Sequence, residues 1–206
     1  EQWEKYADRA AKSIDALTGF SEAVIAREIA AHLPEGSTLF VSSSRPIRDL
    51  EGFGAPRSGV TTYANRGLAG IDGNISTALG IASANKETFA VLGDLSFLHD
   101  LTGLIHREDI DCCFIVINND GGGIFSTLPQ RGVDGFESVF GTPHGLDPAA
   151  IASAMGISAS TISSIDELKK VLKSPVKGIS VVVANVASRD ENADSLKAIY
   201  ESMNSI

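Results

Sequence analysis

Phe89-Ala90-Val91-Leu92-Gly93-Asp94-Leu95-Ser96-Phe97 and Cys112-Cys113-Phe114-Ile115-Val116-Ile117-Asn118-Asn119-Asp120-Gly121-Gly122-Gly123 decide the fold. Each stretch opens on an apolar run and breaks off into polar residues and glycine. The second run is almost continuously apolar, as a strand covered on both faces must be. Working outward, Thr38–Val41, Val60–Tyr63 and Ile179–Val186 read as further strands. Helical patterns lie between and around them. Ser21 reads as the N-cap of an amphipathic helix carrying Ala23, Val24, Ile25, Ile29 and Leu33. Further helices are predicted over Asp72–Asn85, Asp100–Arg107, Asp147–Met155, Asp166–Leu172 and Asp190–Met203. Strands alternating with helices imply an α/β fold: a doubly wound, mainly parallel sheet with helices on both faces.

Such sheets bind ligands beyond the carboxyl ends of their strands. The chemistry is therefore sought in the loops Ser42–Leu50, Ala64–Gly73, Gly93–Asp100 and Asn118–Gly135. Asp94 closes one strand and Asn119 follows the next, 25 positions later. If the two strands are neighbours, a carboxylate and an amide emerge side by side, next to a glycine run that can turn a carbonyl inward. These are hard oxygen ligands suited to Mg²⁺, which completes its shell with water or substrate phosphates. Glycine-rich segments also offer N–H groups to a phosphate. Taken singly, Gly-Asp and Asn-Asp-Gly-Gly are ordinary turn sequences; their order, each after a strand, is what points to a site.

Composition narrows the field. The 206 residues suit one domain, with 43% hydrophobic and 21% charged residues, so a disordered chain is excluded. A net charge of −9 argues against a nucleic-acid surface. No apolar stretch is long enough to span a membrane. Cys112 and Cys113 are adjacent within an apolar run, a pattern of buried reduced thiols and of a reducing compartment. The weaker pattern of residues 1–20 (Trp3, Tyr6, Ala10) reads as a connecting helix from an upstream domain, with the domain proper over 21–206.

The Gly93-Asp94 and Asn118-Asn119 pair, at this separation, resembles the signature of the thiamine diphosphate enzymes. Ser44-Arg45-Pro46-Ile47-Arg48, Asn65-Arg66-Gly67 through Ile71-Asp72-Gly73, and Asp120 through Pro129 extend the likeness to the synthases of menaquinone biosynthesis within that family. The resemblance runs from about Ser42 to Pro129. It implies that this is a C-terminal diphosphate-binding domain, with thiamine diphosphate and Mg²⁺ (or Mn²⁺) as cofactors. It places Asp94, Asn119 and the Gly121 carbonyl on the metal. It places Gly93, Leu95, Ser96 and Gly122 near the diphosphate, and Ile71 as the apolar wedge under the cofactor. Ser44, Arg48, Arg66, Ile124, Phe125 and Leu128 match substrate-contacting positions, the two arginines as carboxylate receptors.

The implied reaction of the whole enzyme is a transfer. 2-Oxoglutarate is decarboxylated, and the succinyl-semialdehyde carbanion adds to isochorismate. The activating glutamate belongs, in the family, to an N-terminal pyrimidine-binding domain of a second subunit. This chain should therefore hold half a site and be inactive alone, within a cytoplasmic homodimer or homotetramer. Ala69 departs from the pattern, which has Ser there, and Pro46 between two arginines is unusual. His99 and His106 lie near the Asp94 segment and receive no role. The glycines of Asn118–Gly135, deprived of a partner domain, are expected to leave that segment few packed contacts. Two alternatives stand beside this reading: another thiamine diphosphate enzyme, such as an acetohydroxyacid synthase or a 2-oxo-acid decarboxylase, and a non-catalytic assembly module of the same fold. A nicotinamide-binding reading fails because no G-x-G-x-x-G opens a helix here.

Overall fold

A computed structural model describes residues 2–105 and 109–204. Among them six strands form one all-parallel sheet: β1 (Thr38–Val41), β2 (Thr61–Ala64), β3 (Thr88–Gly93), β4 (Cys112–Asn118), β5 (Ser158–Ile162) and β6 (Ile179–Asn185). Their order is β2-β1-β3-β4-β6-β5. The doubly wound α/β arrangement expected from the sequence is the one found.

Alternation along the central strands explains why both faces are covered. Ala90, Leu92, Phe114, Val116, Val181 and Val183 point to one face. There they meet Ile75, Ala78 and Leu79 of α4 (Asn74–Ala82), Phe97 of α5 (Asp94–His99) and Ala149 and Ala152 of α6 (Pro148–Ala154). Phe89, Val91, Cys113, Ile115 and Val182 point to the other. There they meet Ile25 and Ile29 of α2 (Glu22–His32) and Leu168 and Leu172 of α7 (Ile165–Lys173). Both cysteines are free and buried. α1 (Gln2–Asp15) buries no residue, and α8 (Arg189–Asn204) packs against α1 and against residues 123–127. No helix among the described residues is long and apolar enough to cross a membrane.

The departures from the sequence reading have physical reasons. The stretch read as a loop over 42–50 gives way at Arg45 to α3 (Arg45–Phe53). Pro46 sits in its first turn, where a missing N–H costs nothing. Gly93–Asp100, also read as a loop, contains α5. The helix predicted from Asp100 is instead a 3₁₀ turn, Leu101–Ile105; His106 and Arg107 lie outside the described residues. β5 was not predicted, because its Ser-Ala-Ser-Thr-Ile sequence is a mostly exposed edge strand without an apolar face. The first half of the segment 118–135 is better packed than expected, whereas 127–129 and 132–135 are exposed. Gly123–Thr127 forms a 3₁₀ turn with Ser126 buried, and the Phe125 ring packs against that of Phe140 in a tilted arrangement, centroids 5.4 Å apart.

Candidate active site

β3 and β4 pair in parallel with Gly93 opposite Ile117, so Asp94 and Asn119 leave the sheet next to each other. The chain turns from β1 to β2 on one side and from β3 to β4 on the other. The crevice at that reversal is where such a sheet opens. A cavity of about 300 Å³ lies there. Of the residues singled out from the sequence, Ser44, Ile71, Gly93, Asp94, Leu95, Ser96, Asn119, Gly121, Gly122, Ile124 and Phe125 border it. Arg48, Arg66 and Leu128 do not, and all three are exposed. Arg48 donates instead to the Ser44 carbonyl at 2.8 Å.

Asp94 is 2% exposed and its carboxylate is held by backbone. Oδ1 accepts from the Leu95 amide at 2.7 Å; Oδ2 accepts from the amides of Asn119 (3.2 Å) and Gly121 (2.9 Å). Burial raises its pKa above the ordinary carboxylate value, with the Gly121 and Leu95 amides and His144 pulling the other way. The His144 ring lies 3.3 Å from Asp94 Oδ2 through Nε2. Its Nδ1 accepts from the Leu146 amide at 3.0 Å, so in the neutral ring the proton sits on Nε2 and donates to Asp94. The loop that brings His144 in is anchored by Asp120, whose Oδ1 accepts from the amides of His144 and Gly145 at 3.0 and 2.8 Å.

Asn119 is also buried. Its Nδ2 donates to Glu22 Oε1 at 2.6 Å, while its Oδ1 is buried without a partner. The Gly121 carbonyl accepts from the Gly123 amide and keeps a second lone pair. Gly121 sits at φ +132, where a Cβ would run into the Gly141 carbonyl. Only glycine lets the loop close this tightly on Asp94. Three of the four described non-glycine residues with positive φ, namely Ser44, Asp120 and Thr142, flank this region. Backbone strain of this kind collects at functional sites.

Sequence reasoning missed four charged or polar groups here. Glu22 (7% exposed) and Asp49 (4%) border the cavity on either side of Arg45. Arg45 pairs with Asp49 and lies 3.5 Å from Glu22 Oε2 through Nε. Burial raises the Glu22 pKa, against the lowering effect of Arg45 and Asn119. Burial likewise pushes Asp49 up to about 7, Arg45 opposing and Glu22 adding to the rise. Arg45 and Asp49 lie within the Ser42–Leu50 stretch, where the resemblance implies a role only for Ser44 and Arg48. Glu22 was legible only as the residue after an N-cap. His144 falls 24 residues beyond Asp120, past the loop searched, and a single sequence carries no signal for it.

A divalent cation fits the donor set: one buried carboxylate, one amide oxygen without a partner and one backbone carbonyl. Among the described residues no three His, Cys, Asp or Glu side chains converge as a metal cluster. The set of one carboxylate, one amide oxygen and one carbonyl has the hard, sparse character that Mg²⁺ accepts.

The sequence and the sheet match one class of protein. The family described as thiamine pyrophosphate enzyme, C-terminal TPP binding domain, covers residues 51–186, and the chain belongs to that family. Within it, the chain is similar to the 2-succinyl-5-enolpyruvyl-6-hydroxy-3-cyclohexene-1-carboxylate synthases. It is 46% identical to that of Thermobifida fusca over 77% of this chain and 30% of the relative. It is 38% identical to that of Bacillus cytotoxicus over 97% of this chain and 36% of the relative. It is 41% identical to that of Myxococcus xanthus over 89% and 32%. The chain thus spans about a third of the length of these curated relatives. Benzoylformate decarboxylase from Polynucleobacter necessarius shares the fold at a TM-score of 0.64 and 20% identity, over 80% of this chain and 33% of that one.

Proposed function

We propose that this domain binds Mg²⁺ and the diphosphate of thiamine diphosphate for a synthase that joins 2-oxoglutarate to isochorismate. The observation that carries the reading is the pairing of Asp94 with Asn119 on adjacent strand tips, where the amide oxygen of Asn119 is buried without a partner. When bound, thiamine diphosphate supplies the carbanion chemistry that decarboxylates a 2-oxo acid. The chain's own residues bind and orient. Asp94, Asn119 and the Gly121 carbonyl would hold the cation. Gly93, Leu95, Ser96 and Gly122 border the space for the diphosphate, and Ile71 with Ile124 and Phe125 supplies apolar wall.

Ser44, Arg48, Arg66, Ile124, Phe125 and Leu128 are proposed substrate contacts. The two arginines are exposed at the rim, where guanidinium groups can reach carboxylates entering from outside. The activating glutamate is assigned to a pyrimidine-binding domain of a second subunit in a homodimer or homotetramer. By the same reading, residues 1–20 connect the domain to upstream sequence, the domain is inactive by itself, and the enzyme works in the cytoplasm. The test is an assay of the full polypeptide with 2-oxoglutarate plus isochorismate, and with pyruvate alone. Product from the first pair supports the proposal; turnover of pyruvate only would reassign the substrate. Unchanged binding of Mg²⁺ and thiamine diphosphate after Asp94→Ala would support an assembly module instead.

A further inference from the structure

We propose that Glu22 is a positioning residue for the metal: by gripping one end of the Asn119 amide, it turns the other end into a cation ligand. The inference rests on the reading of Asp94 and Asn119 as metal-binding groups.

Asparagine is symmetric in shape and opposite in chemistry at its two ends. Its oxygen serves a cation, whereas its NH₂ group repels one. Something must choose between the two orientations. At this position the backbone does not, since the Asn119 amide N–H is committed to Asp94 at 3.2 Å. The choice falls to Glu22. The 2.6 Å contact with Glu22 Oε1 is made by Nδ2, the donor end of the amide. The Oδ1 atom is thereby left on the other side, buried and unpartnered.

Glu22 is itself fixed. It is the first residue of α2, behind the Ser21 N-cap, and its second oxygen faces Arg45 Nε at 3.5 Å. The contact joins residues 97 positions apart in sequence, so it ties the start of α2 to the tip of β4. Groups that orient metal ligands in this way typically change metal affinity 10–100-fold when removed.

The test is Mn²⁺ binding to the full polypeptide in the presence of thiamine diphosphate, read from the paramagnetic resonance signal of free Mn²⁺. Glu22→Ala is expected to weaken Mn²⁺ binding by at least about tenfold. Asn119→Asp is also expected to weaken it, because the new carboxylate faces that of Glu22 and the two repel. Combining Asn119→Asp with Glu22→Gln exchanges donor and acceptor across the same contact and should restore wild-type affinity or better. Wild-type affinity in Asn119→Asp, or a double variant no tighter than Asn119→Asp, overturns the inference. These two variants preserve side-chain volume, so they decide the matter even if Glu22→Ala fails to fold. Asp94→Asn separates the two levels. If it abolishes binding while the Glu22 variants bind normally, only the role of Glu22 falls. If it binds normally, the metal site itself is elsewhere.

Discussion

Asp49 shows what a charge costs at the edge of this cavity. Burial pushes its carboxyl up to about 7, and the nearby Glu22 adds to the rise. A carboxyl whose pKa is higher in the folded state than in the unfolded chain binds its proton more tightly when folded. Its contribution to stability is therefore complete below about pH 4 and is lost as pH rises towards 7. Asp49→Asn removes that titration. The stability difference between the variant and the wild type, from urea unfolding, should shift in the variant's favour by on the order of a few kcal/mol between pH 4.5 and pH 8. A difference that stays flat across this window would place the Asp49 pKa near its ordinary value. The same residue marks the limit of legibility. Asp94, Asn119 and the glycines could be read because each follows an apolar run. Asp49, Glu22 and His144 gain their meaning only from what the fold packs against them.

Secondary-structure elements divided along the same line. The buried strands β3, β4 and β6 were legible because being covered on both sides forces unbroken apolar runs. α3 was hidden by Pro46 and Gly52, residues that usually break helices, though Pro46 here opens one. β5 was hidden by its polarity, since β6 supplies its hydrogen bonds and little of it is buried. α7 illustrates the energetic side. Its exposed face is charged, but Leu168 and Leu172 are fully buried against the sheet. Ser164 caps it, accepting from the Glu167 amide at 3.3 Å. Leu168→Ala should cost about 2–5 kcal/mol in urea unfolding, through lost burial plus the cavity left behind. Lys170→Ala, on the exposed face of the same helix, should stay within about 0.5 kcal/mol. Similar costs for both would mean that α7 is held by its own propensity rather than by packing.

For the molecule as a whole, the problem is one of sign. The chain carries 26 acidic and 17 basic residues, and its cavity is bordered by the carboxyl groups of Glu22, Asp49 and Asp94 against one guanidinium, Arg45. Arg45 is already engaged by two of those acids. A diphosphate entering without a counterion would meet repulsion at short range, where the protein interior screens little. On the proposed function, the cation is then the condition of cofactor binding rather than an accessory to it. Calorimetric titration of thiamine diphosphate into the full polypeptide should lose at least about tenfold in affinity when EDTA is added, and recover with Mg²⁺ or Mn²⁺. The 206-residue chain alone should bind more weakly than a polypeptide of its relatives' full length even with Mg²⁺. Its rim residues Arg66 and Leu128 stand exposed, and the chain amounts to about a third of its relatives. Cofactor affinity indifferent to EDTA would show that the acidic border is offset by donors other than a metal, and the pairing of Asp94 with Asn119 would then need a different explanation.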